Sequence, residues 1–405
     1  MKKVLVCQSG ARHRYLIPRI MYDAGMLSCL YTGACLYSPL GRIANIIRHM
    51  GCRNQNINRF ANRNPMLPKQ YVKSTDGLLL RQLMNRDTDA YSKVHAIYHG
   101  LSNHFKRWGI RECDIIYNMY FENIDFLRYA KEKGKTIVID IYENPTAFKN
   151  IITEISSIPE YKRYQSIREQ YEAENRLRET YMNEALGLAD YYTIPSAFVL
   201  NSIKGYENFD ANKVRMLPYP SSITKKQNRH SPQKHKIIWV GNAPVRKGLI
   251  YCAKAATILK RKFPDLNFEI IGVTNNDLMK DATFKDLNFI GTLNKEQLIA
   301  EYESAEAYVF PTLYEGLAGT IIEAACCGCP IITTENAGVE KGVFPALYIP
   351  VRDVDAIVTA VEKIFTSPDL QRQLSEDVFQ FANKQYSPST YKENLISLFS
   401  ELPTL

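Results

Sequence analysis

Short apolar runs rich in β-branched residues alternate with helical segments along most of the chain, and this alternation constrains the fold more than any other feature. Between the runs lie a segment with apolar residues at helical spacing (residues 121–135) and a long polar helix (161–189). Strands that alternate with helices predict a parallel sheet covered on both faces. In the first half, the predicted strands are residues 2–7, 114–119, 135–142, 189–196 and 214–219.

A polar, Pro- and Ser-rich stretch at residues 220–236 interrupts the pattern, which then restarts. A chain of 405 residues also exceeds the usual size of one hydrophobic core. We therefore predict two α/β domains: residues 1–218, a linker at 219–236, residues 237–385, and a C-terminal helix at 386–405 that packs back on the first domain. The predicted strands of the second domain are residues 237–241, 267–272, 288–291, 306–311 and 330–334.

Several classes of protein are disfavoured by the sequence. The first strand runs into "QSGARHR" without a GxGxxG motif, which argues against a dinucleotide dehydrogenase. The N-terminus lacks the apolar core of a signal peptide, and no apolar run reaches membrane-span length, so a cytoplasmic protein is expected. The nine cysteines are scattered, as for apolar fillers. The "CCGC" at 326–329 closes a helix, which favours neither a redox motif nor a zinc site.

A block of positive charge lies near the N-terminus. The formal net charge is +9, and no acidic residue occurs between Asp23 and Asp76. Two interpretations remain open: a solvated basic face, or a surface at residues 42–73 for an anionic membrane, a lipid-pyrophosphate acceptor or an anionic glycan. No nucleic-acid-binding motif accompanies the charge, so we predict no nucleic-acid partner. The basic residues are Arg42, Arg48, Arg53, Arg59, Arg63, Lys69 and Lys73.

Two glutamates, Glu315 and Glu323, flank a turn-rich "EGLAG" that follows a predicted strand. In an open α/β sheet, ligands bind beyond the carboxyl ends of the strands. The free N–H groups at the start of the following helix favour an anion. A carboxylate in the loop and a second one two turns into the helix suit an extended ligand with a sugar, a diphosphate and a nucleoside.

The stretch "PTLYEGLAGTIIEAACCGCPII" resembles the EX7E signature of the retaining GT-B glycosyltransferases, in particular glycosyltransferase family 4. The resemblance extends to "IIWVGN", "RKGL", "EIIG" and "NFIGTL", and more loosely to "YYTIPSAFV" and "KVRMLPYP" in the first half. It implies the GT-B fold, in which two Rossmann-like, doubly wound domains face each other across a cleft. The first domain would bind the acceptor and the second the nucleotide-sugar.

The resemblance also implies roles for individual residues. Glu315 would face the donor sugar and Glu323 would bind the ribose, while Lys247 would neutralise the departing phosphate. The family's usual arginine is Asn242 here, and Arg246 is the candidate for the second charge. Gly241 and Asn242, on the loop after the first strand of the second domain, would also contribute to donor binding. The diphosphate would be held beside Gly316 by the N–H groups of Leu317, Ala318, Gly319 and Thr320.

The chain departs from the family pattern in two places. "E-G-F-G-L-P" is "E-G-L-A-G-T", which shifts a glycine by one residue, and the first domain lacks the family's strand-end histidine. Asp140 or Glu143 is the candidate for orienting the substrates there, although capping of the strand end explains them equally well. On the acceptor side, the candidates after the first strand are Ser9, Gly10, Arg12 and His13.

The sequence predicts no catalytic metal and no cofactor, because both DxD strings, at residues 87–89 and 353–355, precede helical runs and suit helix capping. The resemblance thus implies a retaining, metal-independent hexosyltransferase. It would use a UDP- or GDP-sugar and a glycan or lipid-linked acceptor, in cell-surface polysaccharide synthesis, as a cytoplasmic protein peripheral to the inner membrane face. Two alternatives remain: another GT-B enzyme (an epimerase or a phosphorylase), and a non-catalytic binding protein derived from a transferase.

Overall fold

The chain folds around two parallel β-sheets. The computed structural model describes residues 1–51, 54, 57, 60, 62–77, 79, 80, 95, 98–161 and 168–403. The first sheet contains β1 (Val4–Gln8), β2 (Leu27–Thr32), β3 (Val72–Ser74), β4 (Ile115–Met119), β5 (Thr136–Asp140), β6 (Tyr191–Ile194) and β7 (Val214–Met216). The second contains β8 (Lys236–Val240), β9 (Asn267–Ile271), β10 (Asn288–Gly291), β11 (Ala307–Phe310), β12 (Ile331–Thr333) and β13 (Leu347–Tyr348).

Both sheets have the doubly wound strand order. The first runs β3-β2-β1-β4-β5-β6-β7 and the second β10-β9-β8-β11-β12-β13. The chain reverses direction across the sheet between β1 and β4, and again between β8 and β11. Ligands of such sheets bind at these switch points, beyond the carboxyl ends of the strands. The topology therefore predicts that a ligand binds beside the loops that follow β1, β8 and β11.

The helices cover the sheets, and their polar caps fix where several of them begin. Asp353 accepts the N–H of Ala356, so this part of the second DxD string is a helix cap, as predicted. The first DxD string lies outside the described residues. The helices are α1 (Leu16–Asp23), α2 (Pro39–His49), α3 (Ser102–Trp108), α4 (Ile124–Glu132), α5 (Ala147–Ser157), α6 (Arg168–Leu188), α7 (Ala197–Ile203), α8 (Leu249–Lys262), α9 (Asn276–Met279), α10 (Lys295–Ser304), α11 (Gly319–Cys326), α12 (Val354–Thr366), α13 (Pro368–Gln385) and α14 (Pro388–Glu401).

Three strands were not predicted from the sequence: β2, β3 and β13. The five predicted strands of the first half all exist, but β2 and β3 add two more on one side of β1. The sequence of β2, "LSCLYT", contains no valine or isoleucine. The other two strands have only three and two residues and lie at sheet edges, where pairing in three dimensions decides the conformation.

The predicted linker (residues 219–236) and helix α5 both pack against the second domain. Ser221 donates its N–H to the carbonyl of Tyr386, and Ile223 is buried in the core around the second sheet. Although α5 lies in the first half of the chain, its Ile155 is buried in that same core. Its fully buried Glu154 accepts hydrogen bonds from Tyr251 and, at 2.8 Å, from Arg352. The helix thus joins the two halves.

The "CCGC" motif is buried beneath the surface of the second domain. Burial raises the pKa of the Cys326 thiol to about 11 and that of Cys327 to about 12. A protonated, buried thiol is a poor nucleophile, in agreement with a packing role for these side chains. Within the described ranges, no helix is both long enough and apolar enough to cross a bilayer.

The last helix, α14, packs on the first sheet. Tyr391, Leu395 and Phe399 are buried in a core shared with Val4 of β1. The rings of Phe399 and Tyr117 meet edge to face at 5.6 Å between centroids. The chain therefore crosses back from the second sheet to the first at its end.

Truncating Phe399 tests this packing. Phe399→Ala should lower the free energy of unfolding by about 3–5 kcal/mol, because it leaves a cavity beside Tyr117. Urea denaturation followed by circular dichroism measures the change. Asn394→Ala, at an exposed position of the same helix, serves as the control and should unfold at the wild-type urea concentration. Equal midpoints for the two variants would mean that α14 does not stabilise the first sheet.

Candidate functional site

The carboxyl edges of both sheets open into one cavity of about 700 Å³. It lies at the two switch points that the topology identifies. Loops from both halves of the chain contribute to its wall, so the cavity is a cleft between the domains. Its polar lining includes Arg12, His13, Tyr142, Glu143, Tyr219, Asn242, Arg246, Tyr314 and Glu315, with Gly316, Leu317 and Gly319 beside them.

The loop after β8 carries two cations, Arg246 at the cleft and buried Lys247 beside it, and the backbone of this loop is tightly held. The indole N–H of buried Trp239 donates to the carbonyl of Lys247 at 3.1 Å. Gly248 has φ +68° and lies so close to Pro311 that a Cβ atom would be 2.1 Å from the Pro311 carbonyl oxygen. The carbonyl of Arg246 accepts the N–H of Leu313 at 2.9 Å. These contacts fix Arg246 and Lys247 against the loop that follows β11.

Glu315 lies between these two cations. Its Oε2 is 2.5 Å from Arg246 Nη1, and its Oε1 is 3.4 Å from Lys247 Nζ. Burial lowers the pKa of Lys247, and the charge of Glu315 partly opposes this effect. Burial would also lower the pKa of Arg246, but the charge of Glu315, together with Tyr314, the hydrogen bond to Glu315 and the charge of Glu143, raises that pKa. Glu315 is thus the carboxylate with the strongest effect on both cations, with smaller contributions from Glu143 at Arg246 and from Glu323 at Lys247.

The Oε1 atom of Glu315 is buried and accepts no hydrogen bond from the described residues. Buried oxygens without a hydrogen-bond partner are rare in native proteins. Glu315 lines the cleft, so a bound hydroxyl group could reach this oxygen after a small movement of the side chain away from Lys247, which lies 3.4 Å from it.

Glu323 is on α11, two turns beyond Glu315. Its Oε1 accepts the hydroxyl of Ser222 at 2.6 Å. Burial raises the pKa of Glu323, whereas that hydrogen bond and the charges of Lys295 and Lys247 lower it. Unlike Glu315, neither Glu323 nor Lys247 lines the cleft; Lys247 is buried, whereas Glu323 is half-buried.

Four backbone N–H groups at the start of α11 are predicted to hold the diphosphate, and one of them already has another acceptor. The N–H of Ala318 already donates to the carbonyl of Ala337 at 3.0 Å, so it is not available for a diphosphate. The N–H groups of Leu317, Gly319 and Thr320 have no acceptor among the described residues. The Thr320 hydroxyl accepts that of Tyr308 at 2.8 Å. Three of the four predicted donors thus remain free.

On the first domain, a strained turn after β1 presents Arg12 and His13. His13, Arg14 and Tyr15 have φ values of 46°, 52° and 58°, a left-handed conformation that costs about 1–2 kcal/mol per residue. The fully buried ring of Tyr15 anchors the turn in the core. Such strain persists only where the surrounding structure imposes it, and it clusters at functional sites.

Aromatic rings hold the two side chains that this turn presents. The Arg12 guanidinium carbon lies 3.3 Å from the ring centroid of Tyr142. His13 stacks on Tyr219 with 4.5 Å between centroids. Burial, together with the charge of Arg12, lowers the pKa of His13 to about 4. His13 is therefore neutral near pH 7 and can exchange hydrogen bonds with a hydroxyl group.

The remaining first-domain candidates are only partly in the cleft. Glu143 lines it, but Asp140 is only 1% exposed and lies behind Tyr219, whose hydroxyl donates to it at 2.6 Å. Burial raises the pKa of Asp140. Asp140 therefore holds Tyr219 in place and lies behind it, outside the lining of the cleft. Ser9 and Gly10 also lie outside the lining; the Ser9 N–H donates to Glu122 at 3.3 Å.

The domains touch at Gly316, in the "EGLAG" stretch. A Cβ atom there would lie 2.0 Å from the carbonyl oxygen of Tyr142 in the first domain. The hydroxyl of Ser196, also in the first domain, donates to the Gly316 carbonyl at 2.5 Å. The loop that carries Glu315 is thus pressed directly against the end of β5.

Residues 221–381 match the family described as glycosyl transferases group 1. The second half of the chain therefore contains a glycosyltransferase group 1 domain. An uncharacterized glycosyltransferase of Haemophilus influenzae is 27% identical over 180 residues, which are 42% of this chain and 50% of that protein. The chain thus spans about half the length of the curated relatives that it matches.

Solved structures share the whole architecture. Sucrose-phosphate synthase from Thermosynechococcus elongatus superposes with a TM-score of 0.70 at 14% identity, over 99% of both chains. HepE of Anabaena, solved in complex with UDP-glucose, superposes with a TM-score of 0.61 at 12% identity, over 99% of this chain and all of the other. These similarities confirm the GT-B fold that the sequence resemblance implies.

Tyr219, Tyr314 and Ser222 line or support the site but were not singled out from the sequence. Tyr219 follows β7 in "LPYP", and its place just after a strand was the one available signal. Ser222 lies in the stretch interpreted as a linker, where nothing in the sequence marks a contact with Glu323. Tyr314 directly precedes Glu315, inside the recognised motif.

The contact at Gly316 can be tested with a methyl group. Gly316→Ala should destabilise the closed arrangement by about 1–3 kcal/mol, since the new carbon would overlap the Tyr142 carbonyl. We expect a lower melting temperature and a larger radius of gyration in small-angle X-ray scattering. Gly319→Ala is the matched control, because a Cβ atom there meets open space. Identical scattering from the two variants would contradict the close domain contact.

Proposed function

We propose that this protein is a glycosyltransferase that moves a sugar from a nucleotide diphosphate to an acceptor bound by the first domain. The observation that carries the proposal is that Glu315 pairs with Arg246 at the interdomain cleft and with buried Lys247 beside it, near the free N–H groups at the start of α11. The glycosyltransferase group 1 domain at residues 221–381 supports it.

The positive charges of Arg246 and Lys247 suit a departing diphosphate. When the bond between the anomeric carbon and the phosphate oxygen breaks, negative charge grows on the leaving group and must be stabilised. Arg246 and Lys247, with the amides of Gly319 and Thr320, would supply that stabilisation. Ion pairing with the diphosphate would release Glu315, whose Oε1 already lacks a hydrogen-bond donor. Glu315 could then accept hydroxyl groups of the donor sugar.

Glu323 would bind the ribose of the nucleotide in this proposal. Its carboxylate is now held by the Ser222 hydroxyl, so donor binding requires this side chain to exchange one hydroxyl partner for another. We expect UDP rather than GDP, because the structural neighbour HepE was solved with UDP-glucose. A hexose is the expected sugar.

Transfer without a metal, and with retention of anomeric configuration, completes the proposal. The acceptor oxygen would form its bond to the anomeric carbon on the face that the diphosphate leaves, as the bond from that carbon to the phosphate oxygen breaks, and its proton would pass to the departing diphosphate. Glu143, Arg12 and His13 are the first-domain groups that line the cleft and could orient the acceptor hydroxyl. The positive charge of Arg246 and Lys247 would take the part that a metal ion plays in other transferases.

The alternative functions require different ligands in the same cleft. An epimerase would turn over a nucleotide-sugar without any acceptor, whereas a transferase needs one. A phosphorylase would consume inorganic phosphate. A non-catalytic binding protein would bind neither nucleotide nor nucleotide-sugar, and its Glu315 would serve only to neutralise Arg246 and Lys247.

Thermal unfolding with nucleotides tests the donor site first. A ligand at a hundred times its dissociation constant adds about 2.7 kcal/mol to stability. Among UDP, GDP, ADP, CMP and their sugars, we expect UDP and one UDP-sugar to raise the melting temperature of the wild type. The shift should disappear in Glu323→Ala, because the ribose loses its acceptor.

Glu393→Ala, at an exposed position on α14, is the control and should keep the full shift. If no nucleotide raises the melting temperature of the wild type, the non-catalytic alternative replaces our proposal. A shift that survives in Glu323→Ala would place the ribose elsewhere and leave the transferase assignment in place.

For the acceptor, we propose a glycan or a lipid-linked glycan at the inner face of the cytoplasmic membrane, in cell-surface polysaccharide synthesis. The support is helix α2, within the basic block. Ile43 and Ile46 are 52% and 59% exposed, and Met50 just beyond the helix is 81% exposed. Apolar side chains beside Arg42 and Arg48 suit an anionic bilayer interface. Arg53 and Arg59 lie outside the described residues.

The membrane surface can be tested on vesicles. Ile43→Ser/Ile46→Ser should weaken co-sedimentation with phosphatidylglycerol vesicles about tenfold, since two apolar side chains no longer insert. Met216→Ser/Val343→Ser, at residues 47% and 56% exposed elsewhere, should sediment like the wild type. Equal sedimentation of both double variants would show that α2 is only a solvated basic face.

A further inference from the structure

A second cavity, of about 690 Å³, lies at the edge of the first sheet beside β3. It shares no lining residue with the interdomain cleft. Four of its ten lining residues are cations, and none of the ten is acidic. The lining consists of Tyr37, Pro39, Arg42, Lys69, Gln70, Val72, Lys73, Ser74, Trp108 and Arg111.

The four cations reach the cavity from three separate parts of the chain. Arg42 is on α2, Lys69 is in the 3₁₀ turn before β3, Lys73 is on β3, and Arg111 follows α3. Arg111 lies far from the basic block in sequence and is brought to it only by the fold. None of the four forms an ion pair with a carboxylate in the part of the chain that the structure describes.

The nearby carboxylate of Asp76 forms its hydrogen bonds with the start of α2. Asp76 accepts the hydroxyl of Ser38 at 2.5 Å and the N–H of Leu40 at 2.8 Å. These are the cap residue and a first-turn amide of α2, so Asp76 compensates the helix start instead of the cations. It also anchors α2 to the end of β3, which holds Arg42 over the cavity.

The walls of this cavity are fixed by further contacts. The Tyr37 hydroxyl donates to the carbonyl of Leu67 at 2.7 Å, and the Arg42 Nε donates to the carbonyl of Tyr37 at 3.2 Å. Trp108 stacks on buried Phe105 with 5.6 Å between centroids. The ring of Trp108 therefore forms an apolar wall of the cavity beside the cationic side chains.

We propose that this cavity binds a phosphate or pyrophosphate group, at a site separate from the interdomain cleft. Gathering four like charges around one cavity is unfavourable without a counter-charge, and a multivalent anion relieves that repulsion. Lysine and arginine are the usual phosphate partners, and arginine can hold two phosphate oxygens at once. The aromatic wall would contact the organic group that carries the phosphate.

This site does not depend on the transferase assignment, because it uses none of the cleft residues. The phosphate could belong to a lipid headgroup or to a soluble phosphate ester. Both sources present the same dianionic or trianionic group to the four cations, so the test has one arm for each.

The test is isothermal titration of the full chain with inorganic pyrophosphate, comparing the wild type with Lys69→Gln/Arg111→Gln. Both residues are exposed, so their loss should leave the fold intact, and the melting temperature without ligand checks this. We expect pyrophosphate binding at this site to weaken at least tenfold. Any binding of pyrophosphate in the interdomain cleft is common to both proteins and cancels from the comparison.

Arg261→Gln/Lys363→Gln removes the same two residue types from exposed positions of the second domain and should bind like the wild type. Co-sedimentation with phosphatidic acid vesicles identifies the source. Loss of both pyrophosphate and vesicle binding in Lys69→Gln/Arg111→Gln supports a lipid headgroup, and loss of pyrophosphate binding alone supports a soluble phosphate ester. Wild-type binding of both ligands by this variant would overturn the proposal.

Discussion

The structure depends on how closely two backbones approach at Gly316. There the loop after β11 meets the end of β5 with no room for a side chain, and Ser196 ties the Gly316 carbonyl to the first domain. Because Glu315 is the preceding residue, this single contact places the carboxylate of the second domain opposite Glu143 and the Arg12 turn of the first. A cleft with polar groups on both walls follows directly from it.

Glu315 is the main counter-charge of the two cations beside the cleft. It pairs with half-buried Arg246 and with buried Lys247. Burying an unpaired charge is costly, so the pair of cations and the carboxylate stabilise one another only as a set. A diphosphate could replace the carboxylate as counter-charge. The same groups thus stabilise the empty protein and suit an anionic leaving group.

The two domains are also joined away from the cleft. Helix α5 belongs to the first half of the chain, yet its Glu154 is buried against Tyr251 and Arg352 of the second. At the other end of the chain, α14 returns to the first sheet through Phe399. These two crossings limit how far the domains can separate, so any opening of the cleft must bend the chain near both of them.

The sequence by itself determined the alternation of strands and helices, the two α/β halves, and the loop that carries Glu315 and Glu323. It could do so because periodicity and turn residues are local properties. The contacts between segments were not accessible in this way. Asp140 lies behind Tyr219, Ala318 has a partner in Ala337, Ser222 binds Glu323, and Arg111 joins the cations near β3. Each of these pairs is distant in sequence, and only the packing of two sheets and their loops decides which polar groups meet and which remain free for a ligand.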